Sequence, residues 1–215
     1  MKNQQQIFNL IILDESGSMS SIHKSIVNGF NELVGSIKGT AKQQPEQHHF
    51  VSLVTFNSLG IQTKLDREDV TKLEKISYEQ FEPDAMTPLF DAIGLSVNHL
   101  KKGLKELKES EYHVLVTILT DGEENASEEF NQQLIKSMVD ELKETNWTFT
   151  YIGANHDVVN TAAAISISNT LAFDADDEGV SAMFKKETKA RASFFKSMVN
   201  SVDFRKTNYY KSEEE

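Results

Sequence analysis

Two hydrophobic patterns alternate along the chain. Short runs rich in β-branched and aromatic residues predict strands at residues 7–13, 50–56, 61–65, 113–119, 147–152 and 169–173. Between these runs, apolar residues spaced three or four positions apart predict helices at residues 20–37, 88–107, 127–142, 158–164 and 177–202, with a short helical turn at residues 70–73. The alternation predicts an α/β fold with three layers, in which helices cover both faces of a doubly wound, mostly parallel sheet. A hairpin turn at residues 57–60 predicts that one edge strand is antiparallel.

Capping residues indicate where the predicted helices begin. Ser20 can cap the first helix, and Thr87 followed by Pro88 is typical of an N-cap and a first helical position. Ser127, with two glutamates directly after it, predicts the start of the next long helix. The apolar spacing in that helix predicts a buried side made of Phe130, Leu134, Met138 and Leu142.

Length and composition fit one globular domain. The chain has 215 residues, of which 39% are hydrophobic, so we expect a single domain at residues 1–205 and a charged tail at residues 206–215. The net charge of -11 argues against a nucleic-acid partner. Because cysteine is absent, disulfides and thiolate metal ligands are excluded. The first apolar run is too short to span a membrane and has no cleavage site, so we expect a cytoplasmic protein without membrane association.

Small side chains that carry oxygen follow two of the predicted strands. Asp14, Ser16 and Ser18 come directly after the first strand, and Asp121 comes after the strand at residues 113–119. In a doubly wound sheet the turns after parallel strands converge on one rim, where ligands bind. These residues and the loop that ends at Thr87 are therefore candidates for one site. Each segment also has a simpler interpretation, since serine and Thr-Pro begin helices and Asp-Gly forms tight turns.

Three motifs at these positions resemble a known family. The sequence DESGSM at residues 14–19 is similar to the DxSxS signature of von Willebrand factor type A domains. The sequences MTPLFDAIG at residues 86–94 and LTDGEE at residues 119–124 resemble the second and third metal-site segments of that family. The three motifs occur in the family's order, and the resemblance covers essentially the whole chain. One departure is that Ala85 and Met86 precede the threonine, where the family often has glycines.

The resemblance implies a Rossmann-like fold and a metal-ion-dependent adhesion site. Ser16 and Ser18 would give hydroxyl oxygens directly to a divalent ion, and Thr87 would bind the ion directly or through water. Asp14 and Asp121 would act through bound waters and through hydrogen bonds to the serine hydroxyls. All of these ligands are hard oxygens, and a small site that keeps several waters favours Mg²⁺, with Mn²⁺ as a substitute.

The leading hypothesis for the function is a non-enzymatic, Mg²⁺-dependent protein-interaction module. An ion held mostly by neutral hydroxyls keeps much of its positive charge and an open position. A carboxylate from an Asp or Glu of a protein partner can fill that position. The chain also resembles stand-alone intracellular type A domains of bacteria, some of which belong to stress-response systems such as those associated with tellurite resistance.

Two other hypotheses stay open at this point. A Mg²⁺-dependent phosphohydrolase or phosphoryl-transfer protein would use Asp14, because an aspartate at a strand end beside Mg²⁺ suits an aspartyl-phosphate enzyme. Against this hypothesis, Ser16 stands where a second aspartate is expected, and the chain has no GxxxxGK(S/T) loop. The third hypothesis is a structural scaffold whose metal site is vestigial.

Overall fold

The computed structural model describes residues 4–154, 157–199 and 209–210. Within these residues, six strands form one sheet in the order β3-β2-β1-β4-β5-β6. The strands are β1 (Gln5–Asp14), β2 (Gln47–Asn57), β3 (Gly60–Asp69), β4 (Tyr112–Thr120), β5 (Trp147–Gly153) and β6 (Asn169–Ala172). The α-helices are α1 (His23–Gln43), α2 (Leu89–Gly103), α3 (Gln132–Lys143), α4 (Val158–Ala164) and α5 (Asp177–Val199). β3 is antiparallel to β2, and the other paired strands are parallel, which confirms the predicted fold class.

β1 is a central strand of the sheet and lies between β2 and β4. Leu13 of β1 pairs with Thr55 on one side and with Leu119 on the other. Because both pairings are parallel, the carboxyl ends of the three strands reach the same rim of the sheet. Asp14, the last residue of β1, therefore lies beside the residues that follow Thr120 at the end of β4.

The two faces of the sheet are covered by different helices. Leu10 and Ile12 of β1 belong to a core that includes residues of α2, α3 and α4. Ile11 and Leu13 belong to a core on the opposite face, formed with α1 and α5. Since side chains alternate along a strand, β1 contributes to both cores, which explains its nearly unbroken apolar run. Among the described helices, none combines the length and the apolar composition that crossing a bilayer requires.

A buried ion pair fixes α5 to the sheet. The guanidinium of Arg191 donates to Glu187 at 2.8 Å, and both side chains are almost fully buried. Arg191 also donates to Asn9 of β1 at 2.7 Å and to Thr117 of β4 at 2.6 Å. With these partners, the guanidinium is neutralised and hydrogen-bonded, as a buried charge requires.

Several predictions for the C-terminal part lie outside the described residues. These are the domain boundary at residues 205 and 206, most of the tail, and the end of the last helix at residue 202. Tyr209 and Tyr210 are described, and their hydroxyls donate to the carboxylate of Glu187 at 2.9 and 2.7 Å. These two tyrosines therefore join the buried ion pair under α5.

The first two predicted helix starts were wrong. Ser20 lies inside a 3₁₀ turn at Gly17–Ile22, where its hydroxyl donates to the carbonyl of Gly17 at 2.7 Å, and α1 begins only at His23. Similarly, α2 begins at Leu89 and not directly after Thr87. Thr87 is instead held by Asn125: its N–H donates to the side-chain oxygen of Asn125 at 2.9 Å, and its carbonyl accepts from the Asn125 N–H at 3.2 Å.

The predicted start of the third helix was also wrong, and its predicted buried side was right only in part. α3 begins at Gln132, where the side chain of Asn131 accepts from the N–H of Leu134. Ser127 lies earlier, and its hydroxyl accepts from the N–H of Asp91 at 3.0 Å in the first turn of α2. Of the predicted buried side, Leu142 is buried, and Phe130 and Met138 are partly buried against the core. Leu134 is 50% exposed, and Ile135 and Val139 are buried instead.

Candidate metal centre

Asp14 lies at the centre of the rim with its side chain fully buried. One carboxylate oxygen accepts from the backbone N–H of Ser16 at 2.8 Å. The other accepts from the hydroxyl of Thr120 at 2.5 Å. The end of β1 is thereby joined to the end of β4, and the carboxylate has a fixed orientation.

The two serines of the first motif connect the turns after β1 and β4. The hydroxyl oxygens of Ser16 and Ser18 are 3.3 Å apart. The hydroxyl of Ser18 also donates to the carboxylate of Asp121 at 2.6 Å. Because Ser18 gives its hydrogen to Asp121, Ser16 is the donor in the contact between the two serines, and one lone pair of the Ser18 oxygen remains to face another group. The 3₁₀ turn that begins at Gly17 keeps both serines on the rim.

Thr87 joins this group through Gly122. A methyl group added to the α-carbon of Gly122 would lie 3.3 Å from the hydroxyl oxygen of Thr87 and 4.0 Å from that of Ser18. The Thr87 and Ser18 hydroxyls therefore flank the same small space beside this glycine. A side chain at residue 122 would crowd the threonine hydroxyl, which explains the glycine after Asp121.

The loop before Thr87 is docked on the turn after β1. The N–H of Gly17 donates to the carbonyl of Ala85 at 3.1 Å, and the N–H of Asp84 donates to the carbonyl of Glu15 at 2.9 Å. Ala85 has a φ of 62°, in the left-handed region that glycine adopts without strain. Alanine at this position carries a strain of about 1 kcal/mol.

Burial raises the pKa of Asp14 from 3.8 to about 6. The hydrogen bonds from Thr120 and Ser16 act in the opposite direction, and the negative charge of Asp121 adds to the increase. Burial, together with the charges of Asp14 and Glu123, also raises the pKa of the Tyr151 hydroxyl. The centre of the rim thus disfavours further negative charge and would be stabilised by a cation.

The structure brings the five predicted site residues together from three separate turns. The candidate donor set has three neutral hydroxyls and two carboxylates, from Asp14, Ser16, Ser18, Thr87 and Asp121. No three His, Asp or Glu side chains converge as a metal site anywhere in the described part of the chain. Hydroxyls therefore have to supply part of any coordination here, and a set made only of hard oxygens fits Mg²⁺ or Mn²⁺.

Three residues that support the site were not found from the sequence. Thr120 holds the carboxylate of Asp14, and Asn125 holds the backbone of Thr87. Glu124 accepts from the N–H of Phe90 at 2.8 Å and so caps the start of α2. Thr120 and Glu124 lie inside the third motif at residues 119–124, which is a usable signal. The role of Asn125 depends on a contact with the distant residue Thr87, for which the sequence has no local pattern.

Solved structures with this fold include metal-binding proteins. PTMP1 of the mussel byssus, in a structure with a zinc-occupied MIDAS motif, matches 87% of this chain with a TM-score of 0.58 and 13% identity, and this chain spans 46% of its length. Manganese-loaded TRAP of Plasmodium vivax has a TM-score of 0.53 and 15% identity, and the match covers 87% of this chain and 74% of the TRAP chain. The SpRpn10 VWA domain has a TM-score of 0.54 and 13% identity, and the match covers 82% of this chain and 92% of the SpRpn10 chain. At these identities the similarity concerns the fold.

The family assignment comes from the sequence. No curated protein compared with the chain matches it. The model of the von Willebrand factor type A domain matches residues 10–190, which include the turns after β1 and β4 and the loop before α2. With most of its length matched and its six-stranded sheet in agreement, the chain belongs to the von Willebrand factor type A domain family.

Proposed function

We propose that the chain is a Mg²⁺-dependent protein-interaction module that binds an Asp or Glu carboxylate of a partner through a metal-ion-dependent adhesion site. In this proposal Ser16 and Ser18 hold the ion directly, and Thr87 holds it directly or through water. Asp14 and Asp121 act through bound waters and through hydrogen bonds. The observation that carries the proposal is the convergence of these hydroxyls and carboxylates from three turns at one point of the rim.

The hydrogen bonds of the two aspartates support these roles. Asp121 accepts from the Ser18 hydroxyl, which orients the serine oxygen toward the ion. Both carboxylate oxygens of Asp14 accept hydrogen bonds, from Ser16 and Thr120. The Asp14 carboxylate therefore acts on the ion through its negative charge and through bound water, without direct contact. Because the oxygens that contact the ion directly are neutral, the ion keeps much of its positive charge and attracts an anionic ligand. A carboxylate on a partner supplies that ligand, and metal and partner then strengthen each other's binding.

The phosphoryl-transfer alternative is less well supported. A nucleophilic aspartate needs a free oxygen that faces the substrate. Both oxygens of Asp14 accept hydrogen bonds, and its side chain is fully buried behind Ser16 and Thr120. These contacts suit a residue that positions other ligands.

The cellular setting is also proposed by resemblance. The chain resembles stand-alone bacterial type A domains, so we place it in the cytoplasm and in a stress-response system related to tellurite resistance. The acidic composition, with a net charge of -11, suits a protein whose contacts with acidic partner groups depend on a bound cation.

The metal part of the proposal is tested by calorimetric titration of Mg²⁺ and Mn²⁺ into the chain and into two serine variants. Ser18→Ala removes a proposed ligand, whereas Ser20→Ala removes an exposed hydroxyl that donates to the nearby Gly17 carbonyl. We expect Ser18→Ala to weaken Mn²⁺ binding at least about tenfold, and Ser20→Ala to leave it unchanged. No uptake by the wild-type chain, or equal effects of both substitutions, would contradict the proposal.

The partner part is tested by affinity capture from the native cell lysate. The capture is run in Mg²⁺ and repeated with EDTA, using the wild-type chain and Asp121→Ala. We expect the captured protein to depend on Mg²⁺, to be lost with Asp121→Ala, and to be lost again when one acidic residue of the partner is changed to alanine. Circular dichroism of the variant serves as the folding control.

A further inference from the structure

A cleft lies between α2 and the edge strand β3, on the face of the sheet that α2, α3 and α4 cover. Its volume is about 500 Å³, which is typical of sites that bind small molecules. The residues that line it come from β1, β2, β3, α2 and the loop before α3. None of the five candidate metal residues is among them, so the cleft is distinct from the metal centre.

The bottom of the cleft is apolar. Leu10, Val54 and Leu100 line it and are almost fully buried members of the hydrophobic core. The ring of Phe130 packs against the same core and also lines the cleft. An apolar group of a ligand would leave water on contact with these side chains, which favours its binding.

Two buried hydroxyls lie among these apolar side chains. Ser52 and Ser96 both line the cleft and are only 6% and 5% exposed. Within the described part of the chain, the Ser96 hydroxyl oxygen has no hydrogen-bond partner. The Ser52 oxygen accepts from the N–H of Arg67 at 2.9 Å, which leaves the Ser52 hydrogen available to a ligand. Because a buried hydroxyl without a partner costs free energy, a ligand oxygen that accepts from these serines is favoured.

The charged groups of the cleft balance one another. Lys102 and Glu129, both exposed, line the cleft with opposite charges. The carboxylate of Asp66 is neutralised by Arg67, which donates to its two oxygens at 3.0 and 2.7 Å, and His99 lies 3.3 Å from the same group. A charged ligand would therefore lose its hydration in the cleft without gaining a free counter-charge. This balance favours an uncharged ligand.

We propose that the cleft between α2 and β3 is a binding site for an uncharged small molecule with an apolar body and an oxygen atom that accepts hydrogen bonds from Ser52 and Ser96. The apolar body packs on Leu10, Val54 and Leu100. This inference goes beyond the proposed function, because the site contains no metal ligand and acts without the ion.

Four probes with the same benzene ring test the chemical class of the ligand. Benzyl alcohol has a neutral oxygen, toluene has none, benzoate is an anion and benzylamine is a cation at neutral pH. Binding to the isotope-labelled chain is followed by NMR through the backbone amide signals, in EDTA and again in Mg²⁺. We expect benzyl alcohol to shift signals of α2 and β3 equally in both buffers, and the two ions to bind at least about tenfold more weakly.

A serine substitution tests the role of the hydroxyls. Ser96→Ala should weaken the binding of benzyl alcohol about three- to tenfold, which is the usual contribution of one hydrogen bond. The same substitution should not weaken the binding of toluene, which has no oxygen to accept a bond. Ser181→Ala, at an exposed position of α5, is the matched control and should change neither affinity.

Two tryptophan substitutions on β3 test the location of the site. Thr63 is exposed, lines the cleft and pairs with Val54 across the two strands, so Thr63→Trp places a large ring in the cleft. Gln62 is exposed and next to it along the strand, so its side chain points to the opposite face. We expect Thr63→Trp to abolish the binding of benzyl alcohol and of toluene, and Gln62→Trp to retain both. Circular dichroism checks that both variants are folded.

Each result supports or overturns the inference independently of the metal centre. The inference is wrong if benzyl alcohol does not bind, if its signals lie away from α2 and β3, or if folded Thr63→Trp still binds it. It is also wrong if benzoate or benzylamine binds as tightly as benzyl alcohol, or if Ser96→Ala affects benzyl alcohol and toluene alike. None of these outcomes changes the proposed function, since Mg²⁺ and the partner carboxylate bind elsewhere.

Discussion

Replacement of Asp14 by asparagine should stabilise the metal-free chain. Burial raises the pKa of the Asp14 carboxyl to about 6, so its ionised form is disfavoured in the folded state at neutral pH. Asparagine has the same shape and no charge. Its side-chain oxygen can accept from the Ser16 N–H, and its NH₂ can donate to the hydroxyl oxygen of Thr120. The substitution therefore removes the unfavourable charge and retains the contacts.

The expected gain in folding stability follows from the raised pKa of the Asp14 carboxyl. Between 3.8 and about 6 the difference is about two pH units, which corresponds to about 3 kcal/mol at about 1.4 kcal/mol per unit. For a chain of this length, 1 kcal/mol changes the melting temperature by about 2–4 °C. We expect Asp14→Asn to raise the melting temperature in EDTA by up to about 10 °C at pH 8.

The gain should depend on pH with a definite sign. From pH 4 to pH 6 the folded wild type holds a proton on Asp14 that the unfolded chain has already released. The stability of the metal-free wild type therefore falls as the pH rises through this window, and the variant has no such loss. The advantage of Asp14→Asn should be complete above about pH 6 and should disappear near pH 4.

Thermal unfolding in EDTA between pH 4 and pH 8 is the assay. Glu144→Gln, at an exposed position, controls for the loss of one negative charge from a chain with a net charge of -11. Saturating Mg²⁺ should reverse the order of stability, because the cation favours the ionised wild-type carboxylate and the variant cannot respond. A variant that is less stable than wild type in EDTA at pH 8, or a gain that does not change with pH, would refute this reasoning.

The remaining predictions concern stability. The carboxylate of Asp91 accepts from three backbone N–H groups in the loop before α3, so Asp91→Ala should destabilise the fold by about 3 kcal/mol in urea titration. Arg191→Leu leaves Glu187 buried without its cation and should cost about 3–5 kcal/mol in the same assay, whereas a near-neutral effect would show that the tyrosine hydroxyls are sufficient. Gly94→Ala places a methyl group 2.4 Å from the ring of Phe130 and should lower the stability by about 1–3 kcal/mol.

The strands were predictable because their signal is local. In β1 the run of apolar residues reflects burial on both faces of the sheet, and the edge position of β3 follows from the hairpin at residues 57–60. The convergence of Asp14 and Asp121 on one rim then follows from the parallel arrangement of β1 and β4. For these features the hydrophobic pattern and the direction of the strands carry enough information.

Helix starts were less predictable because capping groups come from distant segments. Thr87 has the sequence of an N-cap, but Asn125 binds its backbone, and α2 begins at Leu89. Ser127 likewise binds the first turn of α2 and not the helix that follows it. At both positions a contact between segments competes with the local preference for a cap and determines the structure.

These same contacts position the site. The backbone of Thr87 is held by Asn125, and the loop before it is docked on Gly17 through the carbonyl of Ala85. The sequence motifs contain the donor residues, but the path that brings the threonine to the serines depends on pairings that have no periodic signal. At the departure from the motif, Ala85 adopts a left-handed backbone, with a φ of 62°.

The most direct test of a metal centre at this rim is anomalous diffraction from crystals grown with Mn²⁺. We predict one strong anomalous peak between the hydroxyls of Ser16, Ser18 and Thr87, and its loss in crystals of Ser18→Ala that keep the same fold. A manganese peak elsewhere, or no peak at the rim in saturating Mn²⁺, would contradict the account.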